Sequence, residues 1–292
     1  MSRKSAVFCI TMGAFLISLV GVIMRILETQ DVLLILFYRS IGLSAMVALF
    51  TCLRRRQSLP NFIKELDSKD LTVGIFLSIA FSGYVFSMIY TSVASTLFIL
   101  SSGPFFTAII SLAWIKEKPT PITWFAMVFA VTGMLIMLKN GLEAGNIIGN
   151  LGALATTISF SIMLVYIRKS EKDDVLGGTF LGSLLCCVFA LLIAVSLNKN
   201  IVISFRDTWI ILGMGAFTIG LGMSLITWSA SHLPAPEVSL FMLTESILGP
   251  IWPWLFLGEM VTFMELMGGL LILLSLLILF LFGGRTRILL KE

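Results

Sequence analysis

The chain carries little charge for its length. Only 12% of its 292 residues are charged and 58% are hydrophobic, whereas soluble domains hold about 25% charged and about 45–50% apolar residues. A water-soluble fold could not bury so many apolar side chains. The net charge of +4 is modest and comes from polar loops, so it bears on orientation in a membrane and not on nucleic-acid binding.

Histidine and cysteine are also scarce. His232 is the single histidine, and Cys9, Cys52, Cys186 and Cys187 form no CxxC pair. This pattern predicts reduced, buried thiols, with no metal site and no disulfide framework. No GxxxxGK[ST] motif is present, which argues against an ATP-driven pump. We expect no cofactor and no enzyme, since an intramembrane enzyme would need a reactive cluster within the spans.

Ten apolar runs are long enough to cross a bilayer as helices. A hydrocarbon core about 30 Å thick needs about 20 residues of α-helix. The predicted spans are 6–24, 32–53, 71–92, 93–115, 120–138, 144–167, 175–198, 208–231, 235–257 and 262–284. The first run is longer than the apolar core of a signal peptide and lacks its cleavage pattern, so we expect it to remain as a membrane helix.

The two halves of the chain repeat one pattern at a distance of 142 residues. Ser82, Ser87, Glu117 and Thr120 recur as Ser224, Ser229, Glu259 and Thr262. This offset divides the chain into a first repeat, 1–142, and a second, 143–292, with five predicted spans each. Because five is odd, the second repeat enters the membrane from the opposite side. We predict an all-α integral membrane protein with ten transmembrane helices in two inverted five-helix repeats around a central cavity.

Lysine and arginine are distributed unevenly over the predicted loops. If the N-terminus is cytoplasmic, the outer loops hold only four of the 20 basic residues: Arg25, Lys139, Lys199 and Arg206. Arg39 lies within the second span, and the other fifteen lie in cytoplasmic loops and tails. Membrane proteins retain positive charge on the cytoplasmic side. Both termini are therefore predicted to be cytoplasmic, in a bacterial inner membrane.

Glu245 lies about ten residues into the ninth predicted span, near the middle of the bilayer. An ionisable side chain there costs about 2.5–3.5 kcal/mol on insertion scales, which makes it a functional candidate. The repeat places Gly103 opposite Glu245, and Gly-Pro pairs in both spans can loosen the helical backbone. Glu245 could take a proton or bind a substrate amine, with Ser101, Ser102 and Thr244 bonding the substrate. The alternative is a neutral Glu that ties helices together, while the hydroxyls bond their own helices.

Arg39 and its neighbour Tyr38 lie within the second span. A guanidinium is permanently charged and matches carboxylate geometry, so both residues are candidates for binding an amino-acid or organic-acid headgroup. Arg39 could equally extend outward or pair with Glu245 or Glu28 for a structural purpose.

Three aromatic residues are expected nearest the central cavity: Tyr84, Phe160 and Trp228. We include them as candidate substrate contacts, and the alternative for each is packing. Trp252 and Trp254 lie near the outer end of their span and resemble interface anchors. Glu117 and Glu259 close corresponding spans, so we expect them to pair with neighbouring helix ends or to assist helix caps.

Two long stretches carry a resemblance to a known family. The first runs from Ala94 to Glu117 and ends in the letters WIKE, and the second, from His232 to Glu259, reads HLPAPEVSLFMLTESILGPIWPWLFLGE. With the YIRK that ends the sixth span, they resemble the paired signatures of the drug/metabolite transporter superfamily, in its ten-helix EamA-type branch. The resemblance extends over essentially the whole chain. It implies two inverted halves, a central cavity and transport of amino acids or other small metabolites by alternating access, often outward.

We therefore predict a secondary transporter, exporter or exchanger, for a small metabolite, with an amino acid or amino-acid derivative as substrate. Its partners would be the substrate, the lipid bilayer and a coupling proton or counter-substrate, and no nucleic acid. Uptake or exchange of a vitamin, nucleoside or S-adenosyl compound is the alternative, and a receptor without transport is another. Ile17 stands opposite Phe160 when Arg25 is aligned with Arg168. The aromatic amino-acid exporters of this branch often have an aromatic residue there, so the match to them is weaker.

Overall fold

Fifteen α-helices and one π-helix make up the described part of the chain. The computed structural model describes residues 1–91, 93–137, 147–170, 175–257 and 263–282, and these contain no β-strand. The α-helices are α1 (Arg3–Ser18), α2 (Val20–Arg25), α3 (Val32–Arg55), α4 (Leu59–Lys64), α5 (Ser68–Tyr90), α6 (Val93–Ser101), α7 (Gly103–Trp114), α8 (Pro121–Met137), α9 (Ile147–Ser170), α10 (Leu176–Ser196), α11 (Phe205–Gly213), α12 (Leu221–Ala230), α13 (Ala235–Met242), α14 (Thr244–Leu257) and α15 (Phe263–Phe282). The all-α class is confirmed for these residues.

Many of these helices are suited to a bilayer. Six stretches in the described residues are long and apolar enough to cross a membrane: Arg3–Arg25, Val32–Arg55, Ser68–Tyr90, Ile147–Ser170, Leu176–Ser196 and Phe205–Ala230. Shorter apolar helices cover Ile99–Trp114, Pro121–Gly133 and Met267–Phe282. Large apolar side chains such as Phe189, Phe205 and Phe217 are exposed on the outside of the bundle. An apolar exterior of this kind is suited to contact with lipid.

Within the described residues, four of the predicted spans are interrupted. The first is divided at Leu19 between α1 and α2, the fourth at Ser102 between α6 and α7, and the ninth at Leu243 between α13 and α14. The eighth contains the π-helix Met214–Gly220, which joins α11 to α12. A π-helical turn often occurs at a functional site. All four interruptions border the cavity described below.

The helix α4 lies in the polar stretch after α3, where no span is predicted. Pro60 stands in its first turn, where the missing N–H removes no helical hydrogen bond. Phe62 is buried and its ring centroid lies 5.4 Å from that of Phe180 on α10. A six-residue helix is unstable alone, so this aromatic contact holds α4 against the bundle.

Charged side chains join helix ends at the face of the bundle that contains the N-terminus, called here the N-terminal face. Arg3 pairs with Glu237 at 3.1 Å and donates to the carbonyl oxygen of Leu279, so α1 is joined to α13 and α15. Arg168 at the end of α9 lies 3.7 Å from Glu117, which follows α7. The predicted pairing of Glu117 with a neighbouring helix end is confirmed. Its repeat counterpart at position 259 lies outside the described residues.

The other end of the bundle, called here the opposite face, joins the α2–α3 loop to the start of α11 and to the segment that precedes it. Arg206 donates to Glu28 at 2.7 Å, and Asp207 accepts hydrogen bonds from backbone amides of the α2–α3 loop. Lys199 pairs with Asp31, which also caps α3 through its side chain. Charged contacts therefore connect the two halves of the chain at this end as well.

Asp31→Asn is expected to lower the melting temperature at neutral pH and to leave it unchanged at strongly acidic pH. Burial by itself raises the pKa of the Asp31 carboxyl, but the Lys199 ammonium and the amides of Leu33 and Leu34 outweigh burial and hold the pKa below its ordinary value. Such a carboxyl stabilises the fold above its unfolded pKa, and this contribution is lost as the pH falls through the folded pKa. Asparagine also caps helices well, so only the charge is removed.

Thermal unfolding in detergent between about pH 7 and about pH 2 measures this effect. We expect a difference of about 0.2–1 kcal/mol at the higher pH, since the ion pair is partly exposed, and convergence at the lower pH. Lys199→Met is the control, because it breaks the same ion pair by removing the charge of the lysine. A difference of equal size at both pH values would contradict the prediction.

Glycines bring α3 into backbone contact with the eighth predicted span. A Cβ added at Gly42 would lie 2.2 Å from the carbonyl oxygen of Leu212, and one at Gly215 would lie 2.0 Å from that of Arg39. Small residues permit this approach in lipid, where the hydrophobic effect does not drive helices together. The contact sets Arg39 against the start of the π-helix.

Gly42→Ala is expected to lower the free energy of unfolding by about 1–3 kcal/mol, because the added methyl group would overlap the Leu212 carbonyl and force α3 away. Gly213→Ala is the matched control, since a Cβ there meets no atom within 4 Å. The melting temperatures of the two variants in one detergent make the comparison. Equal melting temperatures would show that α3 tolerates the methyl group and that the prediction is wrong.

Candidate functional site

A cavity of about 110 Å³ lies between helices of the two halves of the chain. One water molecule needs about 10–15 Å³, so the space admits a small solute. The polar residues of its wall are Arg39, Tyr84, Thr156, Thr157, Ser161, Ser239, Glu245 and Ser246. Apolar residues such as Leu97, Leu100 and Met242 complete the wall. The cavity is therefore amphipathic, with a few polar groups on a largely apolar surface, as is typical of small-molecule sites.

A hydrogen bond in the cavity wall joins Tyr84 on α5 to Glu245 on α14. The Tyr84 hydroxyl donates to Oε1 of Glu245 at 3.1 Å, and Glu245 is only 9% exposed. Glu245 is the second residue of α14, directly after the break at Leu243. A negative charge is favourable at the start of a helix. In the first repeat, Gly103 likewise begins a helix directly after the break at Ser102.

Among the residues that the structure describes, Arg39 is the largest of the fully buried side chains, and it is 2% exposed. It donates to the carbonyl oxygen of Phe81 at 3.1 Å, lies 5.7 Å from the centre of the Phe81 ring and contacts the thiol of Cys186. Its Nε has no hydrogen-bond partner. Among the described residues, Arg39 forms no ion pair with Glu28, Glu245 or any other carboxylate. Burial excludes outward extension, so this charge faces the cavity with little compensation.

Four of the nine predicted site residues line the cavity: Arg39, Tyr84, Phe160 and Glu245. Within the described residues, the wall does not include the other five, which are Tyr38, Ser101, Ser102, Trp228 and Thr244. The cavity therefore contains the two charged candidates, Arg39 and Glu245, and two of the four aromatic candidates, Tyr84 and Phe160.

The three predicted hydroxyl residues lie at the helix breaks, next to the cavity. Ser102 donates to the carbonyl oxygen of Ile99 at 2.5 Å, and Thr244 donates to that of Phe241 at 2.8 Å. Ser101 is buried at the end of α6. The bonds of Ser102 and Thr244 correspond to the alternative in which hydroxyls satisfy backbone carbonyls next to them in the chain.

Trp228 lies away from the cavity, beside the end of α3. The Arg54 guanidinium is 5.0 Å from its ring, and the Phe50 ring packs edge-on with a centroid separation of 6.3 Å. Met223, five residues earlier on α12, does line the cavity. Because a helix turns about 100° per residue, five residues bring Trp228 to a different face. The position of Trp228 thus differs from the one expected from the sequence.

Two other aromatic residues make specific contacts outside the cavity wall. Tyr38 donates its hydroxyl to the carbonyl oxygen of Ile201 at 3.1 Å, so it contacts the segment before α11. The indole N–H of Trp252 donates to Ser18 at 2.7 Å, next to the break at Leu19. Trp252, which was expected to be an interface anchor, therefore connects α14 with the interrupted first span.

Five hydroxyl residues of the cavity wall were not predicted: Thr156, Thr157, Ser161, Ser239 and Ser246. Thr157 and Ser161 are four residues apart on α9, so a polar stripe with helical period was available as a signal. Ser239 and Ser246 stand on either side of the break at Leu243. Their common face depends on the geometry of that break, which the sequence does not specify.

A family model matches the chain twice, over residues 4–139 and 147–281, and it describes the EamA-like transporter family. The chain belongs to the EamA-like transporter family. This EamA-like transporter is thus a multi-pass membrane protein of the drug/metabolite transporter superfamily, and both matched regions contribute to the cavity.

Two known proteins are similar over almost the whole length of this EamA-like transporter. The pseudopaline exporter CntI of Pseudomonas aeruginosa is 20% identical over 277 residues, which are 93% of this chain and 94% of the exporter. A solved structure titled only "Crystal structure of protein" has a TM-score of 0.77 at 17% identity, over 97% of this chain and 100% of the other. At this identity, the structural similarity shows a shared fold and nothing about the substrate.

Proposed function

We propose that this EamA-like transporter carries a small zwitterionic metabolite, an amino acid or an amino-acid derivative, by alternating access across the bacterial inner membrane. The observation that carries the proposal is one cavity with both a buried guanidinium and a buried carboxylate, Arg39 and Glu245. A substrate carboxylate would bind Arg39 and a substrate ammonium would bind Glu245. Leu97 and Leu100 would then contact its apolar part.

The proposed arrangement in the membrane is ten spans in two inverted repeats, 1–142 and 143–292, with both termini cytoplasmic. The two family matches support this division of the chain. The breaks at Ser102 and Leu243 support it too, because they interrupt corresponding spans of the two halves. The basic residues support the orientation, since the N-terminal face would then carry most of the positive charge.

Alternating access requires contacts at the two ends of the bundle to break in turn. The pair Arg3–Glu237 would hold the N-terminal face closed, and the pair Arg206–Glu28 would hold the opposite face closed. Glu245 is the proposed proton-coupling residue. Export or exchange is the proposed direction, and the similarity to an exporter supports it.

Solute flux in proteoliposomes tests the proposal. Purified protein with a sharp thermal transition is reconstituted, and flux of labelled amino acids, vitamins, nucleosides and S-adenosyl compounds is compared with protein-free liposomes. We expect saturable flux of at least one zwitterionic amino acid or derivative. Flux confined to uncharged vitamins or nucleosides would contradict the zwitterionic substrate. Folded protein that moves no solute of the panel would contradict the proposed transport.

A further inference from the structure

Gly103 lies in the cavity wall at a point where the helical backbone is compatible with a larger side chain. Such a side chain would reduce the volume of the cavity. Gly103 begins α7 and lines the cavity. A Cβ added there would lie 3.1 Å from the hydroxyl oxygen of Ser239 and 3.7 Å from the Thr157 methyl group. Its helical backbone is open to any residue with a side chain, so glycine is not required for a left-handed conformation.

The glycines at helix contacts differ from Gly103. At Gly42 and Gly215, an added Cβ would come within 2.2 Å and 2.0 Å of backbone carbonyl oxygens. Backbone cannot rotate away, so packing requires glycine at both positions. At Gly103 the added Cβ would meet the Ser239 hydroxyl at a close 3.1 Å, which rotation of that side chain can relieve, and the Thr157 methyl group at an ordinary contact distance of 3.7 Å. Helix packing therefore tolerates a side chain at position 103 once Ser239 rotates.

The backbone at Gly103 is held in place by two hydroxyl groups. Its carbonyl oxygen accepts hydrogen bonds from Thr107 at 2.8 Å and from Ser161 on α9 at 3.3 Å. Thr107 and Ser161 are themselves joined by a hydrogen bond of 3.1 Å. Because this part of the wall is fixed, the missing side chain adds volume to the cavity and does not serve as a hinge.

We propose that Gly103 sets the upper size limit of the solute and is a specificity-determining residue of this transporter. This inference rests on the proposed function, since a solute must enter the cavity for its size to matter. Three helices meet at Gly103, because Thr157 lies on α9 and Ser239 on α13. A methyl group at position 103 would project between them into a space of only about 110 Å³. One methylene in a closely fitting pocket changes discrimination by about 10–200-fold.

The test is the Gly103→Ala variant, assayed with glycine, L-alanine, L-valine and L-leucine as labelled solutes in proteoliposomes. We expect the ratio of leucine flux to glycine flux to fall by about tenfold or more. The added methyl group would exclude solutes with larger side chains and leave room for glycine. Gly213→Ala is the matched control: it adds the same methyl group where no atom lies within 4 Å. We expect the control to retain the wild-type ratio.

The outcomes separate this inference from the proposed function. Wild-type protein that carries none of the four solutes and none of the wider panel overturns the proposed function, and the size limit with it. Wild-type protein that carries them, with all fluxes lowered in equal proportion by Gly103→Ala, overturns the size limit alone. If the single variant does not fold, Ser239→Ala is assayed by itself, because it removes the hydroxyl oxygen that lies 3.1 Å from the same point of the cavity wall. We then expect the leucine-to-glycine ratio to rise, and an unchanged ratio overturns the inference.

Discussion

Arg39→Ala is expected to weaken transport of a carboxylate-bearing solute by about 100-fold, while a matching amine without the carboxylate stays within about threefold of wild type. A 100-fold loss is about 2.7 kcal/mol, which lies within the range of about 2–5 kcal/mol for removal of one partner from a buried hydrogen-bonded charge pair. Arg39 faces the cavity with an Nε that has no hydrogen-bond partner. A bound carboxylate would supply that partner and would offset the cost of burying the charge.

Two further variants separate substrate binding from a structural role. Arg39→Lys retains the charge but loses the planar two-donor geometry, so an intermediate loss of about tenfold is expected. Arg206→Ala removes an arginine too, but one that is paired with Glu28 at the opposite face and has its side chain 57% exposed, so it should leave the preference for carboxylates unchanged. Flux assays with each solute pair measure the effect. An equal loss for both solutes, with a lower melting temperature, would indicate a structural role for Arg39.

Glu245→Gln is expected to reduce solute accumulation driven by a pH gradient by about tenfold or more, because an amide cannot take up or release a proton. Exchange of labelled for unlabelled solute, which needs no net proton movement, should continue at saturating solute, with a lower affinity because the substrate ammonium loses its charged partner. Glutamine can still accept the hydrogen bond that Tyr84 donates to Glu245 at 3.1 Å. The substitution therefore changes the ionisable group while the hydrogen bond in the cavity wall is retained.

Tyr84→Phe is the matched control for that experiment. It removes the hydrogen bond but leaves the carboxylate, so accumulation driven by the pH gradient should persist with an altered dependence on pH. Both activities are measured in the same proteoliposomes, with internal and external pH set independently. If Glu245→Gln leaves gradient-driven accumulation at the wild-type level, Glu245 is not the coupling residue. It would then be a neutral group that ties α5 to α14.

The positions of the helices could be predicted from the sequence with useful accuracy. The third predicted span, 71–92, corresponds to α5 at Ser68–Tyr90, and the sixth, 144–167, corresponds to α9 at Ile147–Ser170. The agreement has a physical cause: in a bilayer the backbone must satisfy its own hydrogen bonds, so a long apolar run forms a helix. Polar residues then mark where it ends.

The interruptions of the helices were predictable only in part. Those at Ser102 and Leu243 lie in the two spans where Gly-Pro pairs led us to expect a loosened backbone. The break at Leu19 and the π-helix at Met214–Gly220 have no proline beside them. The π-helix lies where Gly215 packs against α3. A partner that is distant in sequence is not visible in the local sequence pattern.

Composition, apolar runs and the paired signatures determined by themselves that this protein is a helical membrane transporter of the EamA type. They also singled out Arg39 and Glu245, because a charge in an apolar span is costly enough to be informative. Only the tertiary structure decided which side chains share the cavity. It placed Ser161 and Ser239 in the wall and Trp228 outside it. The reason is that each residue turns a helix by about 100°, and the rotation of a helix within the bundle depends on its packing and its breaks.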